Sequence, residues 1–538
     1  MTRRDGGVLA DAHPDLGPAD DSVGGTSAGP GGVADGLAGG SAGVDPADLA
    51  VVMRVMRQLD ELPIDHPDAI AVRIATAEVY KQVKQRRRKD RQRAKIEADE
   101  AVTATTATGA PGRIDDETQG LPLAPAAPGA VAGTLIRPRA CYICKERYTL
   151  VDAFYHQLCP NCAASSHAHR DARTDLTGRR ALLTGGRAKI GLHIALRLLR
   201  DGAHTTITTR FPNDAVRRFR SMPDSADWLH RLRIIGIDLR DPAQVITLAD
   251  AVAEAGPLDI LINNAAQTVR RSPQSYALLA EAEAEPVEPG PFPAVLTVGR
   301  AAVGLDGDPA AIGAASGAAS GGTAANGVGA AAGRHWAPSP HALAALALTA
   351  RSASPERIAD ATAIDAAGLI PDLDHTNSWV QLVQEVDPIE LLEVQLCNST
   401  APFILISRLR RSMAAAAAAS PSGRAYVVNV SAMEGQFSRG YKGPGHPHTN
   451  MAKAALNMLT RTSAREMLTD GILMTAVDTG WITDERPHPT KMRLADEGFH
   501  APLDLVDGAA RVYHPIVSGE DGEDLYGCFL KDYKPSPW

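Results

Sequence analysis

The chain is expected to be an α/β protein with a doubly wound, mostly parallel sheet, preceded by a helical arm and a small cysteine-rich ribbon. Three observations predict this. Apolar runs alternate with helix-periodic stretches between residues 176 and 538. One such run, ALLTGGRAKIG from Ala181, breaks into a glycine-rich turn just before the helix-like IGLHIALRLLRDG. Upstream of both stand two CxxC pairs.

With 538 residues the chain is well beyond the roughly 250 that one large domain takes, so the surplus needs a place. Residues 1–45 are Gly, Ala, Asp and Pro with almost no large apolar side chain. Such a segment buries too little surface to offset its ordering entropy, and a disordered tail is expected. Residues 46–100 carry helical periodicity, and nine basic residues lie between Lys81 and Lys95 against the single acid Asp90. No aromatic side chains are interleaved with them for stacking on bases, so this arm reads as a solvated helix with Glu97 and Glu100 among its counter-charges. Nucleic acid is not an expected partner. Residues 101–135 read as a linker.

The ribbon is placed at 136–172. Cys141 and Cys144 are separated from Cys159 and Cys162 by fourteen residues containing the strand-like YTLVDAFYHQL. Each CxxC can present two thiolates from a tight knuckle, and four soft ligands suit tetrahedral zinc. With four cysteines the coordination is closed, so one structural zinc is expected, supplying the folding free energy that so short a segment lacks. His156, His167 and His169 lie close by but are not needed as ligands.

The glycine turn points to a dinucleotide. A pyrophosphate reaches the backbone N–H groups at a helix N-terminus only where no Cβ intervenes, and the helix dipole then favours its charge. Thr184, Gly185, Gly186, Arg187, Lys189, Ile190 and Gly191 form this turn. Downstream, HTTITT ends at Arg210, LRIIGIDLRD carries Asp238 and Leu239, and LDILINNAA ends in Asn264 and Ala265. This succession is the start of a Rossmann-type βαβ sheet.

Taken together, these segments resemble the short-chain dehydrogenase/reductase family. TGGRAKIG is similar to its TGxxxGxG turn, IDL to its adenine-contacting Asp-hydrophobic pair, and NNAA to its NNAG. Asn398 in NSTAPF, Ser431 in NVSAMEG, Lys453 in TNMAK and Gly480 in VDTGWIT follow in the family's order. The resemblance spans roughly residues 176–538. It implies an NAD(P)(H)-dependent oxidoreductase acting on a carbonyl/alcohol pair, and a homo-oligomer.

Two positions of the family's catalytic set depart from its pattern. YxxxK reads Thr449 to Lys453, and the usual serine position is Ala432, with Ser431 beside it. A threonine hydroxyl is a far weaker acid than a phenol, so another proton donor is needed. Tyr441 and His448 are the candidates, with His446 in the same loop, and Thr449 is a possible relay. The alternative is a catalytically silent dinucleotide-binding protein with a structural or sensing role. NAD-specific relatives place an acid after the second strand. Here stands Arg210, with Arg187 and Lys189 in the turn, so NADP(H) is expected in preference to NAD(H).

An Ala/Gly-rich stretch from about residue 281 to 371 has no sustained period and reads as an insertion beside the site. The formal net charge of −8 gives no global attraction to nucleic acid. The N-terminus lacks the apolar region of a signal peptide and no leucine-rich stretch approaches a membrane span, so a cytoplasmic protein with no membrane contact is expected. Cys397 and Cys528 read as small apolar residues. The sequence names no substrate beyond a small molecule.

Overall fold

Alternate burial of short apolar runs on both faces organises the larger part of the chain. The computed structural model describes residues 43–111, 113, 126–291, 293–298, 367–483 and 485–538. By internal contacts the chain divides into residues 1–97 and 98–538. In the first unit, Pro46–Leu59 is a helix whose Asp45 side chain caps it by accepting from the Ala47 N–H. A second helix, Pro67–Ala104, begins there and runs on past the unit boundary. The arm expected over 46–100 is thus two helices, interrupted around Pro63 and Pro67, where ring closure removes backbone donors. Of the expected disordered tail, residues 1–42 lie outside the described residues.

In the second unit, β1 (Val131–Ala140) and β2 (Arg147–Asp152) form an antiparallel hairpin followed by the helix Pro160–Asp171. The hairpin therefore starts within the stretch read as a linker. Only Arg147–Asp152 of the bridge between the cysteine pairs is strand. Phe154, Tyr155 and Leu158 turn inward and share an apolar cluster with Ile482, Leu503 and Leu505 from the far end of the chain. A segment this small cannot bury a core of its own, and it completes one against the larger fold.

The main sheet takes its strands in the order β11-β10-β9-β8-β6-β3-β4-β5-β7. These are β3 (Arg180–Leu183), β4 (His204–Thr209), β5 (Leu232–Gly236), β6 (Ile260–Asn263), β7 (Ala294–Thr297), β8 (Ala425–Ser431), β9 (Ile472–Asp478), β10 (Phe529–Lys531) and β11 (Lys534–Ser536). All neighbours are parallel except β10 and β11. Helices Lys189–Arg200, Pro212–Arg220 and Leu505–Glu520 bury apolar residues in one core cluster, and Pro242–Glu254 and Ala401–Ala419 in the other. This is the expected doubly wound architecture. β7 lies in the stretch read as a structureless insertion, yet it pairs along β5 as an edge strand; residues 299–366 lie outside the described residues.

The helical run Pro388–Ala419 is long and apolar enough to cross a membrane by length and composition. Its apolarity serves the core here, since Leu405, Leu409 and Met413 are buried against the sheet. Leu198, fully buried in the helix after the glycine turn, lies in that helix's own core cluster. Leu198→Ala should destabilise the second unit by about 2–5 kcal/mol and lower the thermal midpoint without altering secondary-structure content by circular dichroism.

Candidate dinucleotide and catalytic site

β3 and β6 are neighbours at the middle of the sheet, with β4 and β5 beyond β3 on one side and β8 and β9 beyond β6 on the other, and a crevice is expected beyond their C-terminal ends. The glycine turn leaves β3 at that point. Gly185 has φ +70°, and a Cβ there would lie 3.0 Å from Cα of Ala265. A Cβ on Gly191 would stand 1.9 Å from the Gly185 carbonyl oxygen, and one on Gly186 would strike Ile207 at 2.5 Å. Asn264 braces the turn, its Nδ2 donating to the carbonyls of Thr184 and Gly185 at 3.0 and 3.1 Å. Thr184 Oγ1 accepts from the N–H groups of both Asn264 and Ala265 at 3.0 Å. Lys189, where the family has glycine, holds φ +51°, so the backbone keeps the glycine-type conformation at a residue that disfavours it. Its charge acts on Glu485 in the segment after Gly480.

The three basic or acidic groups expected around the adenosine end have different fates. Arg187 is buried and paired with Asp214, its Nη2 also donating to the Ala367 carbonyl at 2.8 Å. It is committed inside the protein, and the expectation that it faces a 2′-phosphate is corrected. Arg210 is exposed at the end of β4, hydrogen-bonded to the Tyr276 hydroxyl at 3.2 Å and set over the rings of Phe211 and Tyr276. Asp238 is gripped by Arg240 through bonds of 2.7–3.2 Å. Burial alone would raise its pKa, but the guanidinium outweighs that and holds it below the usual range. Leu239 is buried in the core beneath.

The expected catalytic residues also separate. Asn398 sits in a π-helical turn, Leu396–Thr400, and its side chain both accepts from and donates to the Gln267 backbone, at 2.7 and 2.8 Å. Cys397 in that turn is pushed up to about 11 by burial, as a thiol serving as a small apolar residue would be. Lys453, on the helix Pro447–Met467, donates from Nζ to the Val430 carbonyl at 2.8 Å. Burial brings it down to about 8, against the opposing pull of Cys397 and Glu434. Thr449, one turn earlier, has a buried hydroxyl with no hydrogen-bond partner among the described residues, and both ring nitrogens of His448 are likewise buried and unpaired there.

Ser431 and Tyr441 do not join this group. The Ser431 hydroxyl is spent on Asn457, two turns along the helix from Thr449. Tyr441 is 62% exposed in the loop before that helix. His446 in the same loop stacks on Trp379 with ring centroids 4.1 Å apart and bonds to the Trp379 carbonyl at 2.9 Å, so it too is held away as a structural residue.

Sequence reading missed a buried charged cluster below the site. Glu393 accepts from Arg240 at 2.8 Å and from Gln267 and Arg270 at 2.8 and 3.1 Å, while Glu390 accepts from Ser378 and the Arg270 N–H. The signal was two glutamates three apart in the apolar PIELLEV. Asp478, at the end of β9, was also overlooked. Burial, then the charges of Glu434 and Asp532, raise it to about 7.

The four ribbon cysteines come together, all Sγ atoms within 4.8 Å of one another. Zn–S bonds of about 2.3 Å put tetrahedrally placed sulfurs ~3.8 Å apart, so the cluster could hold zinc with little adjustment. Cys144 and Cys159 sulfurs are 3.6 Å apart, and the Cys159 N–H donates to the Cys141 sulfur at 3.3 Å, bracing the first knuckle against the second.

The short chain dehydrogenase family matches residues 179–286. Protein R665 of Acanthamoeba polyphaga mimivirus, described as uncharacterized, is 30% identical over 403 residues, 71% of this chain and 72% of that protein. A probable oxidoreductase of Streptomyces antibioticus is 41% identical over 91 residues, which span 17% of this chain and 30% of that protein. Among solved structures, the NADP active-site complex of Pseudomonas aeruginosa RhlG is 18% identical, covering 66% of this chain and 95% of its own, with a TM-score of 0.37. The chain belongs to the short-chain dehydrogenase/reductase family of oxidoreductases.

Asp478 yields a pH test. Its folded pKa lies above the unfolded value of 3.8, so the stability it contributes is complete below that pH and is lost as pH rises through about 7. Asp478→Asn should melt at a higher temperature than the parent at pH 8, with the gap closing toward pH 4 in a series of thermal scans.

Proposed function

We propose that the protein is an NADP(H)-dependent oxidoreductase of the short-chain type, acting on a carbonyl/alcohol pair through a proton donor other than tyrosine, and carrying one structural zinc. The observation that supports it most is the braced glycine cradle at the β3/β6 crevice in a chain that retains Asn398 and Lys453. When bound, the nicotinamide would supply or accept the hydride. The turn's N–H groups would take the pyrophosphate and Arg210 the 2′-phosphate, its guanidinium offering paired donors to phosphate oxygens. Lys453 would hold the cofactor ribose, as its family counterpart does.

His448 is the proposed acid–base group. Its two buried nitrogens, unpaired among the described residues, leave one to donate and one to accept, whereas exposed Tyr441 would need the loop to refold. Burial, then the charge of His446, holds the ring below the usual histidine range, so it is neutral at pH 7. A neutral imidazole takes the proton of an alcohol as its carbinol hydride leaves; carbonyl reduction returns that proton from the imidazolium. Thr449 would relay between ring and oxygen.

NADPH should raise the melting temperature more than NADH, and Arg210→Asp should cost NADPH affinity about ten- to hundredfold while sparing NADH. Equal affinity for the two cofactors in the parent, by calorimetry, would remove the preference.

Turnover is read as NADPH consumption against a broad carbonyl panel. Lys453→Ala should abolish it, His448→Gln should lower kcat by roughly 100-fold or more, and Tyr441→Phe should leave it intact. If Tyr441→Phe is the damaging change, the loop supplies the acid. A parent that binds NADPH and consumes none of it would favour the silent-binder reading, for which Thr449 and Ala432 already speak.

A further inference from the structure

The cysteine ribbon packs against both the glycine turn and the turn after β9. Tyr142 lies inside the first knuckle, between Cys141 and Cys144. Its hydroxyl oxygen accepts the Trp481 N–H at 2.9 Å, one residue past Gly480. Gly480 has φ +77°, and a Cβ there would lie 2.6 Å from the Leu503 side chain, so this turn after β9 has little room to move on that side. Ile482, the residue after Trp481, is buried in the ribbon's own apolar cluster, against which Ile190 of the glycine turn also packs. Ile190 and Ile482 meet over Gly508, where a Cβ would be 3.4 Å from one side chain and 2.8 Å from the other.

A second anchor holds the same neighbourhood. The Tyr155 hydroxyl donates to Asp507 at 2.6 Å, and Arg170 from the ribbon's helix pairs with Asp504. Asp504 and Asp507 form the capping box of the helix Leu505–Glu520, on whose first turn Gly508 lies. Both the phosphate turn and the Gly480–Ile482 turn thus rest on the ribbon.

We propose that Tyr142 is a positioning residue: held by the metal knuckle, it fixes the backbone at Trp481, so that metal occupancy of the four cysteines and dinucleotide affinity are thermodynamically linked. The inference rests on the zinc and cofactor readings above. Linkage follows because an ordered knuckle is needed to present the Tyr142 hydroxyl, and a ligand that requires the same backbone binds more weakly when that order is lost. Tyr142 touches neither substrate nor metal; it acts through Trp481.

The experiment uses the full chain and three proteins: the parent, Tyr142→Phe and Cys144→Ser. Metal content, amide exchange at Trp481 and NADPH affinity are measured for each. Tyr142→Phe keeps the ring and removes only the acceptor, so it should retain about one zinc, lose protection at Trp481 and bind NADPH about fivefold more weakly. Cys144→Ser should lose the metal and show at least the same two changes, and a chelator-treated parent should behave like it.

Unchanged Trp481 protection and unchanged NADPH affinity in Tyr142→Phe would overturn the proposal, as would metal loss in Cys144→Ser that leaves both untouched. The underlying readings fail in other ways. A parent without metal after preparation free of chelators refutes the zinc reading. A parent that does not bind NADPH refutes the cofactor reading, and Trp481 exchange in Tyr142→Phe then decides whether Tyr142 fixes that backbone.

Discussion

The closeness of Gly185 and Gly191 governs the site, since a single methyl group at position 191 would overlap the Gly185 carbonyl oxygen. This approach lets the helix Lys189–Arg200 begin shortly beyond β3, at the turn where a helix N-terminus favours an anion. Bonds between Thr184 and Asn264 tie the turn to the end of β6, so the cradle depends on the two central strands lying side by side. Lys189 shows how firmly it is held. The residue keeps a left-handed backbone that lysine disfavours, which the surrounding bonds must sustain.

Around that turn the protein has moved charges inward. Arg187 neutralises Asp214, Arg240 takes up Asp238 and links it to Glu393, and Glu393 in turn binds Arg270 and the Gln267 amide. Gln267 is the residue whose backbone Asn398 grips in both directions. Leaving any one of these groups unpaired would strand a buried charge or a buried polar atom, so the cluster holds the crevice floor rigid. The groups without partners among the described residues stand out against this satisfied background. They include the His448 ring and the Thr449 hydroxyl, on the helix that carries Lys453.

The ribbon explains part of the chain's length in the same terms. Its few apolar side chains cannot close a core, and Phe154, Tyr155 and Leu158 find partners in Leu503, Leu505 and Ile482. A module that reads in sequence as a separate staple is consequently part of the oxidoreductase fold. Its cysteines brace each other, and Tyr142 between them accepts from the turn after β9.

The sequence by itself determined the doubly wound class, the glycine turn, the order of strands β3 to β6 and the cysteine cluster. Each is local: a period of apolar residues, a turn that only glycine permits, or a ligand spacing set by knuckle geometry. Tertiary structure decided which candidate side chains face inward. Arg187, Ser431 and Tyr441 each carry the right chemistry, yet Asp214, Asn457 and solvent claim them, and the two protein partners lie 27 and 26 residues away along the chain. Edge strand β7 was hidden for a like reason, since four exposed residues, Ala294–Thr297, become a strand only because β5 offers a free edge. Pairing and burial of this kind depend on what the rest of the fold brings near, and a pattern read along the chain does not contain it.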